Sequence, residues 1–380
     1  MRIAIVSERV YPFKGGTETR WDEIGSRLTD LGHEVTFLTG RGDITRSNPN
    51  PSQYQFRESH HDYEIHRIVD YKPAVITKGT RSVENCINFG RNAALYLNKM
   101  DDVDVIDINV FPHLHLPLIS LLYGNNTIIT WHEVWKEEWR RHRGFGKFGK
   151  EVEWLNAQLG SRHIAVSKFT AERLSHLKVL RHNSIYHIPN GVSDDFFDIE
   201  DNSAEYPRFL SVGRLTPEKN IDSILIDSFN HYLETYGKAT LDIVGNGPLL
   251  DEIKRKTSTN DHITVHGSVD QQTLYSLFAD CNVFLLPSAR EGSAIVAKEA
   301  NAVGMPVVTI DFPNNAAAFE TVQDGYNGIV TSKDKFTEAM LQAFKNQDKL
   351  GKNAKDYSKR FQWKLIIKKI EKVYELQASS

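Results

Sequence analysis

The sequence has few of the features that settle a protein's class at once. Among its 380 residues only two are cysteines, Cys86 and Cys281, 195 positions apart. That gives neither a disulfide framework nor a zinc-binding spacing, and a reducing compartment is the expectation. No sign of charge dominates: 46 Lys and Arg face 49 Asp and Glu, a formal net charge of -3. The basic footprint of a dedicated nucleic-acid-binding protein is therefore missing. Long apolar runs are missing too. The first, residues 3–6, is shorter than the roughly 7–15 residues of a secretory signal core. The longest, residues 116–123, is broken by Pro117 and Ser120 and falls short of the about 20 residues that span a bilayer. There is no internal repeat and no low-complexity tract. A cytoplasmic protein, soluble or peripheral on the cytoplasmic face of the membrane, is expected.

What is present is ordinary globular material: 40% hydrophobic, 25% charged and 10% aromatic residues. The length suits two or three domains, each with its own core. Charge is shared unevenly. Residues 1–190 carry 25 Lys and Arg, 22 Asp and Glu and 12 of the 15 His, so the first half is mildly basic and the second acidic.

Short apolar runs alternate with helical periodicity along the whole chain. Strands are expected at 1–6, 33–39, 63–69, 103–108, 127–131, 164–166 and 184–188, then at 208–212, 240–244, 263–266, 283–286 and 306–310. Helical stretches follow each, such as the one through Trp21, Ile24 and Leu28 that stops at Gly32, and one over 81–97. This alternation marks parallel sheets wrapped by helices. An Asp-, Asn- and Ser-rich loop at 190–206 divides two doubly wound α/β domains, 1–190 and 191–360. Residues 361–380 form an amphipathic helix with Trp363, Ile366, Ile367, Ile370 and Tyr374 on one face, expected to pack on the N-terminal domain.

In open parallel sheets, ligands bind beyond the carboxyl ends of the strands, and the chemistry-bearing residues fall there. Gly15-Gly16-Thr17-Glu18 opens a helix whose backbone amides suit an anion; a plain tight turn with Thr17 as cap is the other reading. In SVGRLTPEKN, Arg214 and Lys219 flank a turn after a strand, an arrangement for a diphosphate or simply two solvated cations. In the block 291–299, EGSAIVAKE, a helix starting near Ser293 would separate Glu291 and Glu299 by about 10–12 Å. That suits two hydroxyl-bearing groups on either side of a phosphate bridge, and is too long for the carboxylate pair of a retaining glycosidase, which needs about 5–5.5 Å. His132 ends a strand, where a group with a movable proton is a candidate for chemistry. Asp102-Val103-Asp104 has the form of a metal-binding carboxylate pair but introduces a buried strand. Residues 135–150 interleave Trp135, Trp139, Phe145 and Phe148 with Lys136, Arg140, Arg141, Arg143, Lys147 and Lys150. That suits either an anionic membrane surface or a solvated helix with buried aromatics.

Taken in order, GGTE, LGHEVTFLT, AVSKFT, IPNGV, SVGRLTPEKN, IVGNGP, LLPSAREGSAIVAKEANAVGMPVV, ETVQDGYNGIV and the final Trp-containing helix resemble family 4 of the retaining glycosyltransferases. The resemblance implies the GT-B architecture of two facing Rossmann-like domains, the N-terminal one on the acceptor side and the C-terminal one binding a nucleotide sugar. It implies that Arg214 and Lys219 hold the diphosphate, Glu299 the ribose hydroxyls and Glu291 the donor sugar. Gly292, Ser293, Ala294 and Ile295 would offer backbone amides, Gly15 and Gly16 would approach the donor, and His132 would stand near the reacting carbon. No metal and no cofactor are expected, since cations and amides would stabilise the departing diphosphate. The implied activity is transfer of a hexose or N-acetylhexosamine, with retention, from a UDP- or GDP-sugar to a hydroxyl acceptor such as a glycan, a lipid or a lipid-linked sugar. A nucleotide-sugar epimerase or synthase and a non-catalytic nucleotide-sugar-binding protein are the alternatives. Ser293 and Asn301 depart from the family's usual apolar residues and are expected to alter the donor pocket. Asp107-Ile108-Asn109 lacks the histidines frequent at its strand end, a change expected on the acceptor side.

Overall fold

The computed structural model describes residues 1–13, 15–42, 50–71, 82–141, 146–178, 184–200 and 205–380. It divides into two compact units, residues 1–189 with 366–380, and residues 190–365.

The first unit runs β1 (Arg2–Val6), α1 (Gly16–Asp30), β2 (Glu34–Arg41), β3 (Arg57–His60), β4 (Tyr63–Asp70), α2 (Val83–Leu97), β5 (Val105–Asn109), α3 (Leu116–Tyr123), β6 (Thr127–Trp131), α4 (Gly146–Gln158), β7 (Arg162–Ala165), α5 (Lys168–Ser175) and β8 (Ser184–His187). The sheet order is β3-β4-β2-β1-β5-β6-β7-β8, parallel throughout except for the β3–β4 hairpin. Strands buried on both faces need no polar alternation, which is why β1, β5 and β6 read as apolar runs. Phe89, Ala93 and Leu97 of α2 and Leu116 and Ile119 of α3 cover one face, over Ala4, Val6, Ile108 and Ile129. Trp21, Ile24 and Leu28 of α1 are buried at the expected spacing. Ser82 caps α2 and Ser167 caps α5, each hydroxyl accepting from the amide three residues on.

The second unit runs α6 (Asp195–Asp198), β9 (Arg208–Val212), α7 (Ile226–Tyr236), β10 (Thr240–Val244), α8 (Leu250–Thr257), β11 (Ile263–Gly267), α9 (Gln271–Asp280), β12 (Val283–Leu286), β13 (Arg290–Glu291), α10 (Ile295–Val303), β14 (Val307–Ile310), β15 (Asn314–Asn315), β16 (Gly328–Thr331), α11 (Phe336–Lys345) and α12 (Gln347–Ser358). Six strands form a parallel sheet in the order β11-β10-β9-β12-β14-β16. Counted from β9 this is 3-2-1-4-5-6, the doubly wound order, with the reversal between β9 and β12. One apolar cluster includes Phe209, Phe229 and Met340, and another includes Leu210, Phe284 and Ala300. The fold is thus two Rossmann-like α/β units.

The last helix, α13 (Trp363–Ala378), starts in the second unit and from Ile366 belongs to the first. Trp363 packs on Gly191, where an added Cβ would meet the indole at 2.4 Å. Farther along, the Tyr374 hydroxyl donates to Asp107 Oδ2 at 2.5 Å, and Thr130 Oγ1 donates to the same carboxylate at 2.8 Å. Asp107 lies in β5, 1% exposed. Burial raises its pKa to about 6, against the pull of the Tyr374 and Thr130 hydrogen bonds and the Arg20 charge. The carboxylate is ionised above that pH, when the tyrosine bond becomes charge-assisted. Tyr374→Phe should cost about 1–3 kcal/mol in urea unfolding, more at pH 8 than at pH 5.

Candidate functional site

The reversal in the second sheet sends the connections after β9 and β12 apart, and the loops at these strand ends carry three of the charged residues marked in the sequence. A lattice of bonds holds the first loop. Gly213 N donates to Val244 O, Leu215 N to Asn246 O and Leu249 N to Leu215 O. Such close approach needs the glycines of IVGNGP. Gly245 has φ +140°, and a Cβ on it would lie 1.7 Å from Gly213 O; one on Gly247 would lie 2.4 Å from Leu215 O. Across the reversal, Ala289 N donates to Glu218 O, and Asn220 Nδ2 donates to Pro287 O at 2.9 Å. A shallow, solvent-open pocket lies here, lined by Gly213, Arg214, Lys219, Pro287 and Ser288 among others. A larger hollow of about 520 Å³ touches Cys281, Asn282 and Gly304. These residues precede β12 and β14, so it lies at the amino ends of the strands, away from where such sheets bind ligands.

Arg214 is exposed and makes no ion pair among the described residues. Lys219 Nζ is bonded to Glu291 Oε1 at 2.6 Å, with both side chains largely buried. Expected as separate contacts, these two residues are joined by the fold: the Ala289–Glu218 bond sets the two loops together, and β13, which carries Glu291, pairs with β15. Glu218 beside them is held below the usual carboxylate range. Burial would raise it, but hydrogen bonds from its own amide and from Thr216, with the Arg214 and Lys219 charges, prevail.

The helix expected from Ser293 starts at Ile295. Ala294 is its cap, in the left-handed region at φ 45°, and supplies no side-chain acceptor for the first turn. A non-glycine residue held there costs about 1–2 kcal/mol, and such strain gathers at working sites. Ser293 is 8% exposed, and its hydroxyl accepts from Lys298 Nζ at 3.0 Å. Glu299, one turn inside α10, has no hydrogen-bond partner among the described residues, and burial raises its pKa to about 7.

In the first unit, α1 begins at Gly16 with Gly15 as its extended cap, so Thr17 is not the cap. Glu18 fills part of that helix start: it pairs with Arg9 at 3.4 Å, and a Cβ on Gly15 would meet its carboxylate at 2.5 Å. His132 follows β6, with Trp21 edge-on at 6.2 Å. Its Nε2 is buried and accepts or donates no hydrogen bond within the described protein. Burial, then the Arg20 charge, lowers its pKa to about 3, so the imidazole is neutral at physiological pH. Arg20 is itself buried, lowered to about 10 by that burial, and donates to Pro189 O at 3.2 Å. Arg20 carries no local sequence sign of being buried beside a strand-end carboxylate, and Tyr374, expected on the packing face of the last helix, carries none of its bond to Asp107.

One expectation is corrected, that for Asn301. Asn301 does not face the strand-end loops: it is fully buried, donating to Met305 O and accepting from Asn327 Nδ2 at 2.7 Å, a structural amide pair. Asp104 accepts from Arg2 N, and Asp102 pairs with Arg2 at 3.8 Å, which ties down the start of β1. In the basic aromatic stretch, Trp139 is buried against Gly149 while Phe148 is 66% exposed, and Lys150 pairs with Glu137. The side chains of Arg140, Arg141 and Lys147, and residues Arg143 and Phe145, lie outside the described residues.

Comparisons with known proteins bear on the family and the fold. The model of Glycosyltransferase Family 4 matches residues 14–196, and that of Glycosyl transferases group 1 matches 192–361. The chain belongs to the family 4 glycosyltransferases of the GT-B fold. An uncharacterized glycosyltransferase of Methanocaldococcus jannaschii is 25% identical, over 96% of this chain and 95% of its own length. The phosphatidyl-myo-inositol mannosyltransferase of Mycobacterium leprae is 29% identical over 51% of this chain and 54% of its own. Among solved structures, sucrose-phosphate synthase from Thermosynechococcus elongatus superimposes with a TM-score of 0.80 at 19% identity over the whole of both chains. Anabaena HepE in complex with UDP and glucose gives 0.72 at 16% over 99% of each.

A carboxyl whose folded pKa is raised contributes stability below its unfolded value, near 4.5, that is lost as pH rises through about 7. For Glu299 the loss is on the order of 3 kcal/mol. Glu299→Gln should therefore match the wild type in thermal unfolding at pH 4.5 and exceed it at pH 8.

Proposed function

We propose that this glycosyltransferase moves a hexose or N-acetylhexosamine from a nucleotide diphosphate sugar, UDP- or GDP-linked, to a hydroxyl acceptor with retention of configuration and without a metal ion. The observation that carries the reading is the pair of strand-end cations, Arg214 and Lys219, lining the pocket at the reversal of the second sheet, with Lys219 bonded to Glu291. Arg214 offers a planar fork and Lys219 a point charge to the diphosphate. The uncapped first turn of α10, from Ala294 and Ile295, adds amides and the positive end of the helix dipole. As the sugar–phosphate bond breaks, charge grows on the departing phosphate oxygen, and fixed donors there lower the barrier without reorganising.

Glu299 accepts from the two ribose hydroxyls, which supply the hydrogen bonds its carboxylate lacks. Glu291 turns from Lys219 towards the sugar hydroxyls when the diphosphate takes up the lysine's charge; Gly292 and Ser293 complete that loop. Gly15 and Gly16 keep the donor-side role that the family resemblance gives them. We assign acceptor handling to the first unit, where neutral His132 presents Nε2 to a sugar or acceptor hydroxyl. With a pKa near 3 it acts through hydrogen bonding, and the leaving phosphate takes the acceptor proton. The relatives fit a nucleotide-sugar donor: HepE is described with UDP and glucose, and the pneumococcal O-GlcNAc transferase GtfA with UDP and GlcNAc.

In a screen of UDP-, GDP-, ADP- and dTDP-sugars, one donor should stabilise the protein and be turned over equally with and without EDTA. Lys219→Ala and Glu299→Ala should each lower transfer by at least about 10²-fold while staying folded. Full activity in either variant overturns the assignment. An isomerised donor formed without acceptor points instead to an epimerase.

For the acceptor, a lipid or lipid-linked glycan at an anionic membrane surface is favoured. Leu121 and Leu122 of α3 are 78% and 69% exposed, and the adjoining α4 exposes Phe148 and Trp154. Among the described residues no helix is long and apolar enough to cross a membrane, so contact would be peripheral. One relative is named for a lipid, the phosphatidyl-myo-inositol mannosyltransferase of Mycobacterium leprae. In sedimentation with anionic vesicles the wild type should pellet, and the double variant Leu121→Ser/Leu122→Ser should stay largely in the supernatant.

A further inference from the structure

The first unit holds 12 of the 15 histidines, and two of them stand beside a carboxylate in a place that the transfer chemistry does not use. His60 ends β3 and His61 opens the two-residue turn into β4, while Asp22 projects from α1. One ligand atom from each of Asp22, His60 and His61 lies within 4.8 Å of the others. We propose that these three residues bind a divalent late first-row transition metal ion, with zinc the first choice.

Two imidazoles and one carboxylate are the donor set that such ions favour over magnesium or calcium. Around a tetrahedral zinc with bonds of about 2.0–2.1 Å, donor atoms stand about 3.4 Å apart. His60 Nε2 and Asp22 Oδ1 are already 3.3 Å apart. His61 is exposed, and rotation of its side chain closes the remaining gap.

The surroundings hold the ligands in place. The Tyr63 hydroxyl donates to Asp22 Oδ1 at 2.7 Å, the kind of outer contact that fixes a ligating carboxylate. Tyr11 stacks on the His60 ring at 3.6 Å and 15°, and Tyr63 meets it edge-on at 5.5 Å. The turn adds a further sign. His61 and Asp62 have φ of 46° and 62°, a left-handed pair that hairpins ordinarily fill with Asn-Gly or Asp-Gly. A histidine that accepts this backbone sets its ring beside that of His60, at 4.2 Å. Three protein ligands leave one position for water, so the site is a clip between α1 and the β3–β4 hairpin with an open face to solvent. It lies in the first unit and is compatible with transfer that needs no metal.

The test is calorimetric titration of the EDTA-stripped, full-length protein with Zn²⁺, repeated with Co²⁺ so that the visible d–d bands report the geometry. The wild type should bind one saturable equivalent, with the intense bands of four-coordinate cobalt. His60→Ala and His61→Ala should abolish that equivalent, and Tyr63→Phe should weaken it by about 10-fold or more. His231→Ala, at an exposed histidine of the second unit, should leave it intact. Because His61 is exposed, its variant folds whether or not the site exists, and circular dichroism confirms this. Absence of saturable binding in the wild type overturns the proposal, as does an unchanged equivalent in His61→Ala.

Discussion

A parallel sheet that reverses its strand order has to leave a crevice, because the chain after each of two neighbouring strands turns away from the other. In the second unit that constraint falls between β9 and β12, and everything argued about donor recognition depends on it. The crevice opens only as far as its lining permits. Gly245 and Gly247 allow the loop after β10 to close on the backbone of Gly213 and Leu215, so Arg214 leaves a main chain that is bonded on both sides of it. Asn220 and Glu218 tie the same loop to the chain after β12. The cations therefore stand on a fixed frame, and only their side chains need to adjust.

Electrostatic cost is concentrated at these places. The Glu299 carboxyl is raised by burial to about 7, His132 is held neutral by burial and by Arg20, and Lys219 is bonded to Glu291. Structural polar groups such as Asn301 and Asn327, by contrast, bond to one another.

The sheets were legible because buried parallel strands are apolar runs, and so were the helix through Trp21 and the final helix, whose apolar faces repeat at helical spacing. β3 was not, since an exposed edge strand reading RESH has no apolar alternation to notice. The cations and carboxylates of the second unit were legible as motif residues at strand ends. Their mutual arrangement was not: the Ala289–Glu218 bond sets the loops of Lys219 and Glu291 together, and β13 and β15 are two residues each, too short to leave a pattern. Asn301 was misread because its side chain's direction in α10 is set by packing against Asn327, 26 positions away. The Asp22, His60 and His61 cluster was invisible for the same reason, being assembled from a helix and a hairpin distant in sequence.

The hydrogen bond from Tyr374 to Asp107 joins residues 267 positions apart, and its consequence concerns the order of synthesis. Residues 190–365 lie wholly between the two pieces of the first unit. On the ribosome the second unit can therefore finish its core while the first still lacks its last helix and holds Asp107 without the tyrosine. The first unit is thus begun before the second and completed after it, by a segment made only when the whole of the second unit has been synthesised.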